Sequence, residues 1–564
     1  MPLNSSATLT ESTPSRLLFP SFQGYHRRWI AHDVLAGVTV GAIAIPGQIA
    51  IAQLAGMPPT TGLWACVAAG FMATIFVANR VLWLGADSTT APLIFAGLSV
   101  VATAGSERYV QLAVTLAICI GLMFAVIAVA KLQWLADLLS RPVVLGFMAG
   151  VALTVIIGQL PNLLGIPKGD GDDAPSKLWD LITNLHQINL AAAAVGIGSL
   201  VLLPLFARLN ARLPGALLVM AIATLATAAL SLTSLDVAVL GELETGLPNL
   251  VAPDFSISTL AVVLPVAFSI VLISVAQVGA TSRSLAQVKG FAPDLRSDFT
   301  GVAAANLATG AVGAFSVNAS PGQSGVMANS GAKSQLGSFV GAVVALIAVL
   351  FAVSLLEDLP LATLSAILIL IISRIVNFVE LRRIRQFGWG AWALSFATFL
   401  AVVILGVELG VIVAVALALL NRGLMTSRPE IRIMHRRPDG HWLPHADDQA
   451  THGGRLLTVR LNGPLWFANA NWFQDEVKRL MRANPNLNQV IIDTTGIDDL
   501  DYTGASVLAG LIDELEVSEI EVMLIRTKGR VEHALRRIRI DRDLPANRVF
   551  YSIEDAYQAL VTGT

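Results

Sequence analysis

What most restricts the fold of this chain is a succession of apolar runs between Asp33 and Leu420, divided by short polar or Gly/Pro breaks. Each run approaches the ~20 residues that a helix needs to cross ~30 Å of hydrocarbon. Only 13% of the 564 residues are charged and 55% are hydrophobic, whereas an ordinary soluble domain is about 25% charged. Backbone groups in lipid must find partners inside their own element, so the runs read as helices of a polytopic membrane protein. Roughly twelve to fourteen crossings fit at ~20 residues each. Residues 1–20, rich in Ser and Thr without a charged start and an apolar core, read as a flexible tail and not as a signal peptide.

Basic residues orient the helices, because Lys and Arg in short loops stay on the cytoplasmic side. Threading alternate sides puts Arg27, Arg28, Arg80, Lys131, Arg208, Arg283, Lys289, Arg296, Lys333, Arg382, Arg383 and Arg422 together, opposite loops that hold Asp172, Glu242, Asp254 and Glu357. Both ends of the membrane domain are therefore expected in the cytoplasm, with the chain in the cell membrane. A net charge of -2 without a basic cluster offers nothing to nucleic acid. Cys66 and Cys119 lie inside apolar runs and read as small buried residues. No Gly-Lys pair occurs, which removes the phosphate loop of ATP-driven pumps. With no metal-ligand spacing and no nucleophile elbow, neither a cofactor, a metal nor an enzymatic activity is expected.

The alternation of sides closes only if two short segments, near residues 88 and 322, are part-crossings. The first, Leu84-Gly85-Ala86-Asp87-Ser88-Thr89-Thr90-Ala91-Pro92, gathers Gly, capping side chains and Pro within an apolar region. The second, Asn318-Ala319-Ser320-Pro321-Gly322-Gln323-Ser324-Gly325, repeats the pattern. A helix that stops inside the membrane leaves N–H groups unpaired unless protein or a wet cavity receives them. Two interrupted helices, one in each half of a chain, mark the substrate site of inverted-repeat transporters. Facing N-termini would hold an anion with dipole ends and free N–H groups. The first helix, from Val34 to Leu54, carries Gly37, Gly41, Pro46, Gly47, Gln48 and Gln53, which favours close packing and a bend beside a cavity. Gln48 reads equally as a ligand for that cavity and as an interhelical hydrogen bond.

The stretch from Asp33 through Ile45-Pro46-Gly47-Gln48 to Ala55-Gly56-Met57-Pro58-Pro59-Thr60-Thr61-Gly62-Leu63 resembles the first-helix signature of the SulP family of anion permeases and exchangers. Gly85 to Ala91, Ala304-Ala305-Asn306-Leu307 with Gly310 to Gly313, and Ser330 to Ser334 are similar to its third, ninth and tenth helices. The resemblance implies seven plus seven inverted helices split into core and gate domains. It also implies an anion between the third and tenth helices, an elevator-like displacement of the core, and a homodimer.

After Arg422 the chain turns polar. Strand signals at Leu456 to Leu461, Gln489 to Asp493 and Glu521 to Ile525 alternate with helices at Trp472 to Met481 and from Asp498 to about Leu515. This is similar to the STAS domain that SulP proteins share with anti-sigma-factor antagonists, which implies cytoplasmic regulators. The resemblance makes Thr503 a candidate phosphosite, while its place at a helix start favours an N-cap. The expected organisation is a tail over 1–32, a transport domain over 33–424, a linker over 425–454 and a STAS domain over 455–564.

Two departures bear on mechanism. Many SulP members carry an acid on the eighth helix, where Gln277 stands here, and glutamine does not titrate. Several carry a basic residue at the start of the tenth helix, where Gln323 stands. The anion is then left to helix dipoles and to neutral donors: Gln48, Ser88, Thr89, Gln277, Ser320, Gln323 and Ser324. Asp87 is the remaining acid, read as a helix cap or as a proton carrier for symport. A secondary anion transporter is the expected function, with sulfate first, then bicarbonate and C4-dicarboxylates. An uncoupled anion channel and an anion sensor signalling through the STAS domain are the alternatives.

Overall fold

The computed structural model describes residues 18–137, 140–167, 169, 174–209, 215–241, 247–351, 356–373, 376, 378–444, 455–525, 530–537 and 548–562. Asp172 and Glu242, used above for orientation, lie outside them. The chain divides into two compact units, Met1–Ala418 and Leu419–Thr564.

The first unit is helical. Its first half runs α1 (Ile30–Leu54), α2 (Pro59–Phe76), β1 (Leu84–Gly85), α3 (Ala91–Ser99), α4 (Glu107–Val129), α5 (Arg141–Leu164), α6 (Ala174–Thr183), α7 (Leu190–Leu209) and α8 (Gly215–Ala229). The second half repeats the order: α9 (Ile257–Lys289), α10 (Leu295–Ala311), β2 (Asn318–Ala319), α11 (Pro321–Asn329), α12 (Leu336–Phe351), α13 (Leu361–Ser373), α14 (Phe378–Phe387) and α15 (Trp389–Ser427). Gly406, at φ 84° and ψ 168°, breaks α15 into two crossings. That leaves seven crossings in each half among the described residues, with the short helices α6 and α14 at matching places. Seven of the helices are long and apolar enough to span a bilayer unaided.

The halves interlock. α1 packs on α12 as α9 packs on α4, and α2 lies against both α10 and α12, making a core of α1–α4 with α9–α12. α13 packs on α5 and α7, in the gate. Small residues let the core helices touch: a Cβ at Gly37 would stand 2.5 Å from the Gly337 carbonyl oxygen.

The second unit is a six-stranded sheet in the order β4-β3-β5-β6-β7-β8, from β3 (Glu430–Arg436), β4 (Trp442–Pro444), β5 (Leu456–Asn462), β6 (Gln489–Asp493), β7 (Glu521–Ile525) and β8 (Val549–Phe550). β5 to β8 run parallel, and β3 is antiparallel to β4 and β5. Alternate residues go to opposite faces. Val490, Ile492, Val522 and Leu524 meet α16 (Ala470–Ala483) and α17 (Tyr502–Val517), while Ile491, Met523 and Ile525 meet the last helix, α19 (Ile553–Thr562), which follows α18 (Arg530–Arg537). β3 and β4 fall within residues read as linker. The alternation Glu430-Ile431-Arg432-Ile433 carries a strand there that a charge-rich composition conceals.

Candidate functional site

The two breaks meet. β1 and β2 pair antiparallel, Leu84 opposite Ala319 and Gly85 opposite Asn318, and all four residues are buried. The pairing continues as Ser320 N donates to the Trp83 carbonyl at 3.0 Å, and Trp83 N donates to Ser324 Oγ at 2.8 Å. Extended backbone inside a membrane domain needs partners for its polar groups, and two amide side chains supply them. Gln48 on α1 grips Ala86, accepting from its N–H at 2.8 Å and donating to its carbonyl at 3.1 Å. Asn306 on α10 grips Val317 in the same way, at 3.0 and 2.9 Å.

From this strand pair the two short helices start. α3 opens after Asp87-Ser88-Thr89-Thr90 with Pro92 in its first turn, where no N–H is missed. α11 opens on Pro321, with Ser320 Oγ accepting from Gln323 N at 3.5 Å. Each helix has nine residues, and each directs its positive end toward the strand crossing.

Gln277 on α9 joins the breaks. Its Nε2 donates to the Ala319 carbonyl at 2.8 Å and to Asp87 Oδ2 at 3.2 Å, which fixes the orientation of the amide. Its Oε1 lies 2.8 Å from Thr89 Oγ1, and that hydroxyl also contacts Asp87 Oδ2. Thr89 N donates to the same carboxylate oxygen at 3.2 Å, an Asx-type turn at the start of α3. Both polar atoms of the Asn318 side chain are buried without hydrogen-bond partners among the described residues. Trp83 Nε1 and Gln323 Oε1 are likewise buried with no partner among the described residues. No basic side chain enters these contacts among the described residues.

Each residue singled out in the sequence can now be placed. Asp87, Thr89 and Gln277 form one buried network. Gln48 and Ser324 are engaged with backbone at the break. Ser320 caps α11. Ser88 is buried with no hydroxyl partner among the described residues. Gln323 is half-buried, its Nε2 4.0 Å from where a Gly47 Cβ would be, and Pro321 and Gly322 are exposed. A Cβ at Gly322 or Gly325 would meet nothing within 4 Å, so there is open space at the start of α11. Asn306, Asn318 and Trp83 were not read as site residues. For Asn306 the signal was a lone amide in an apolar helix between Gly301 and Gly310.

Thr503 needs a correction. The cap of α17 is Asp501, whose Oδ1 accepts from Gly504 N at 2.6 Å and whose Oδ2 accepts from Phe467 N at 2.9 Å. Thr503 is the second residue of the helix, in its first turn, and is exposed beside exposed Tyr502. The carboxylate two residues earlier reaches both the helix and the preceding loop, which a threonine hydroxyl does not.

Fold and site together define a polytopic membrane protein built around two paired helix breaks, with a separate STAS-type unit. The chain belongs to the sulfate permease family, whose sequence profile matches residues 30–405, and the STAS profile matches residues 449–556. A probable sulfate transporter of Mycobacterium tuberculosis is 30% identical over 541 residues, 95% of this chain and 96% of the relative. Sulfate transporter 3.1 of Arabidopsis thaliana is 24% identical over 95% of this chain and 85% of its own length. Among solved structures, murine SLC26A9, an anion transporter in the inward-facing state, aligns with a TM-score of 0.88 at 20% identity, over 97% of this chain and 94% of that one. The transmembrane domain of a cyanobacterial bicarbonate transporter, BicA, aligns with a TM-score of 0.61 at 22% identity, over 70% of this chain and 98% of that one.

Proposed function

We propose that the protein is a secondary transporter of a small anion, sulfate first, coupled to protons through Asp87 and moved by displacement of the core against the gate. The observation that carries this reading is the pair of short helices whose positive ends adjoin one strand crossing, with open space before Gly322 and Gly325. Ser88, Ser320 and the Gln323 amide are the donors for the anion, beside the free N–H groups of the helix starts, while Thr89 is held to Asp87 and Gln277. Gln48, Gln277 and Ser324 act one step back, holding the breaks in place. Relatives named as sulfate transporters support sulfate, and the bicarbonate transporter among the structural neighbours supports bicarbonate as the next candidate, ahead of C4-dicarboxylates.

Proton counting supports Asp87 as the carrier. Thr89 Oγ1 has one hydrogen and faces two acceptors, Asp87 Oδ2 and Gln277 Oε1. A proton on Asp87 satisfies both: Asp87 donates to Thr89, and Thr89 donates to Gln277. Protonation also removes the negative charge that would face an arriving anion. The Asx turn to Thr89 N is retained in either state.

The transport unit spans 33–424 and the regulatory unit 455–564 with β3 and β4 added to its sheet, with both ends in the cytoplasm and two copies forming the working particle. The exposed Thr503 is the place for a cytoplasmic regulator to act. A second reading, uncoupled conduction, rests on Gln277 and Gln323 standing where the family resemblance implies an acid and a basic residue. Sulfate uptake into proteoliposomes, with bicarbonate and succinate as competitors, tests the proposal. Saturable uptake supports it, current that rises without saturation supports conduction, and anion binding without flux leaves a sensor.

A further inference from the structure

We propose that a groove formed by α5, α14 and α15 binds the acyl chain of an anionic phospholipid, with the headgroup held by Arg382 and Arg385. The groove encloses about 390 Å³, within the range of small-molecule sites. Ala149 and Ile156 of α5, Phe378 and Leu381 of α14, and Phe396 and Phe399 of α15 form its walls. Its shape is fixed where α5 and α15 touch: a Cβ at Gly146 would lie 2.0 Å from the Ser395 carbonyl oxygen. Trp392, Phe396 and Phe399 stack along α15 with ring centroids 5.1 and 6.1 Å apart, a stiff aromatic rail. The inference rests on membrane embedding and not on which anion is carried.

Charge identifies the occupant. Residues three and four apart share a helix face, so Arg382 stands one turn beyond Phe378 and Arg385 one turn beyond Leu381, on the groove side of α14. Both are exposed. The single acid of α14, Glu380, lies 3.2 Å from Arg383 and 4.0 Å from Arg141 at the start of α5. The mouth of an apolar slot is thus rimmed by cations at the end where α5 and α15 begin, the end that carries the basic loops. An acyl chain needs no polar partner, and its phosphate needs what the rim offers. A second copy of this chain across a two-fold axis would bring the same arginines against themselves. A peptide would leave its backbone unpaired in an apolar slot.

The test is photocrosslinking from a Phe396→p-benzoylphenylalanine variant of the full-length protein. It is reconstituted in vesicles of phosphatidylcholine and phosphatidylglycerol in equal amounts, and the adducts are weighed by mass spectrometry. The expected adducts favour phosphatidylglycerol. Each of R382Q and R385Q should cut that preference about fivefold, the worth of one basic residue at an anionic surface. Ala149→Phe, which intrudes on the slot, should lower adducts of both lipids. Equal labelling of the two lipids before any arginine is changed would overturn the proposal. So would a dominant adduct with a second copy of the chain, or labelling that Ala149→Phe leaves unaltered.

Discussion

The two helix breaks are built alike and charged differently. Each is an extended pair of residues gripped by one amide side chain, Gln48 on Ala86 and Asn306 on Val317, and followed by a nine-residue helix with Pro at its start. The first carries Asp87, tied to Thr89 and Gln277, while the second carries only neutral groups, among them Asn318 and Gln323 with unpartnered atoms. The difference teaches that one scaffold serves two tasks. In the proposed reading the clamps hold the crossing, the first break manages a proton and offers Ser88, and the second presents neutral donors to the anion. In that reading, a site with no basic side chain among the described residues relies on dipole ends of about half a charge each, which favours release of the anion.

The largest effect should come from the clamps. Gln48→Leu and Asn306→Leu each leave a buried N–H and a carbonyl without partners, at about 1–3 kcal/mol per group. Both variants should lose uptake and melt earlier by similar amounts in a fluorescence-monitored thermal scan. A large drop for one and none for the other would break the equivalence of the halves. Next is the bridge between the breaks. Gln277→Leu removes the donors to Asp87 and to the Ala319 carbonyl and should lower the uptake rate about tenfold to a hundredfold, the worth of one hydrogen bond to a charged group. A smaller effect is expected from Gln323→Ala in the second break. Loss of one neutral donor should raise KM for sulfate about fivefold with little change in the maximal rate.

The smallest effect on transport should come from outside both breaks. Arg436 hydrogen-bonds Glu554 in the STAS unit and holds that carboxyl at about 2, below its ordinary 4.5. A depressed carboxylate contributes stability that is present above its ordinary value and lost as pH falls through the folded value. The STAS unit should therefore weaken between pH 4.5 and 2, and E554Q should flatten that slope in acid unfolding while leaving uptake at neutral pH unchanged. Altered uptake in E554Q would show that the units are coupled through this pair.

Much of this was legible in the residues. Long apolar runs prescribe spanning helices, and the Gly, Pro and hydroxyl clusters at 84–92 and 318–325 prescribe the breaks, because few other residues end a helix in lipid. That the breaks lie against each other was expected only through repeat symmetry. The strand pairing and its amide clamps were not readable, since a lone Gln or Asn in an apolar helix has no local partner to announce its role. Gln48 shows this well: periodicity places it on α1 but gives no hint that its partner is 38 residues away. In the STAS unit the parallel strands β5, β6 and β7 were plain as apolar runs, while the two-residue β8 was too short to show. β3 and β4 were not plain either: β4 is a short edge strand, and β3 beside it alternates charged with apolar residues, as strands near a sheet edge do.

Sulfate uptake into proteoliposomes under an inward proton gradient, compared between the unaltered protein and Asp87→Asn, tests the central claim most directly. The account predicts that the gradient drives accumulation in the unaltered protein. In Asp87→Asn, which keeps an oxygen for the Thr89 N–H, it should drive none, although sulfate counterflow persists. Gradient-driven accumulation in Asp87→Asn equal to that of the unaltered protein would contradict the account and remove the proton from the first break.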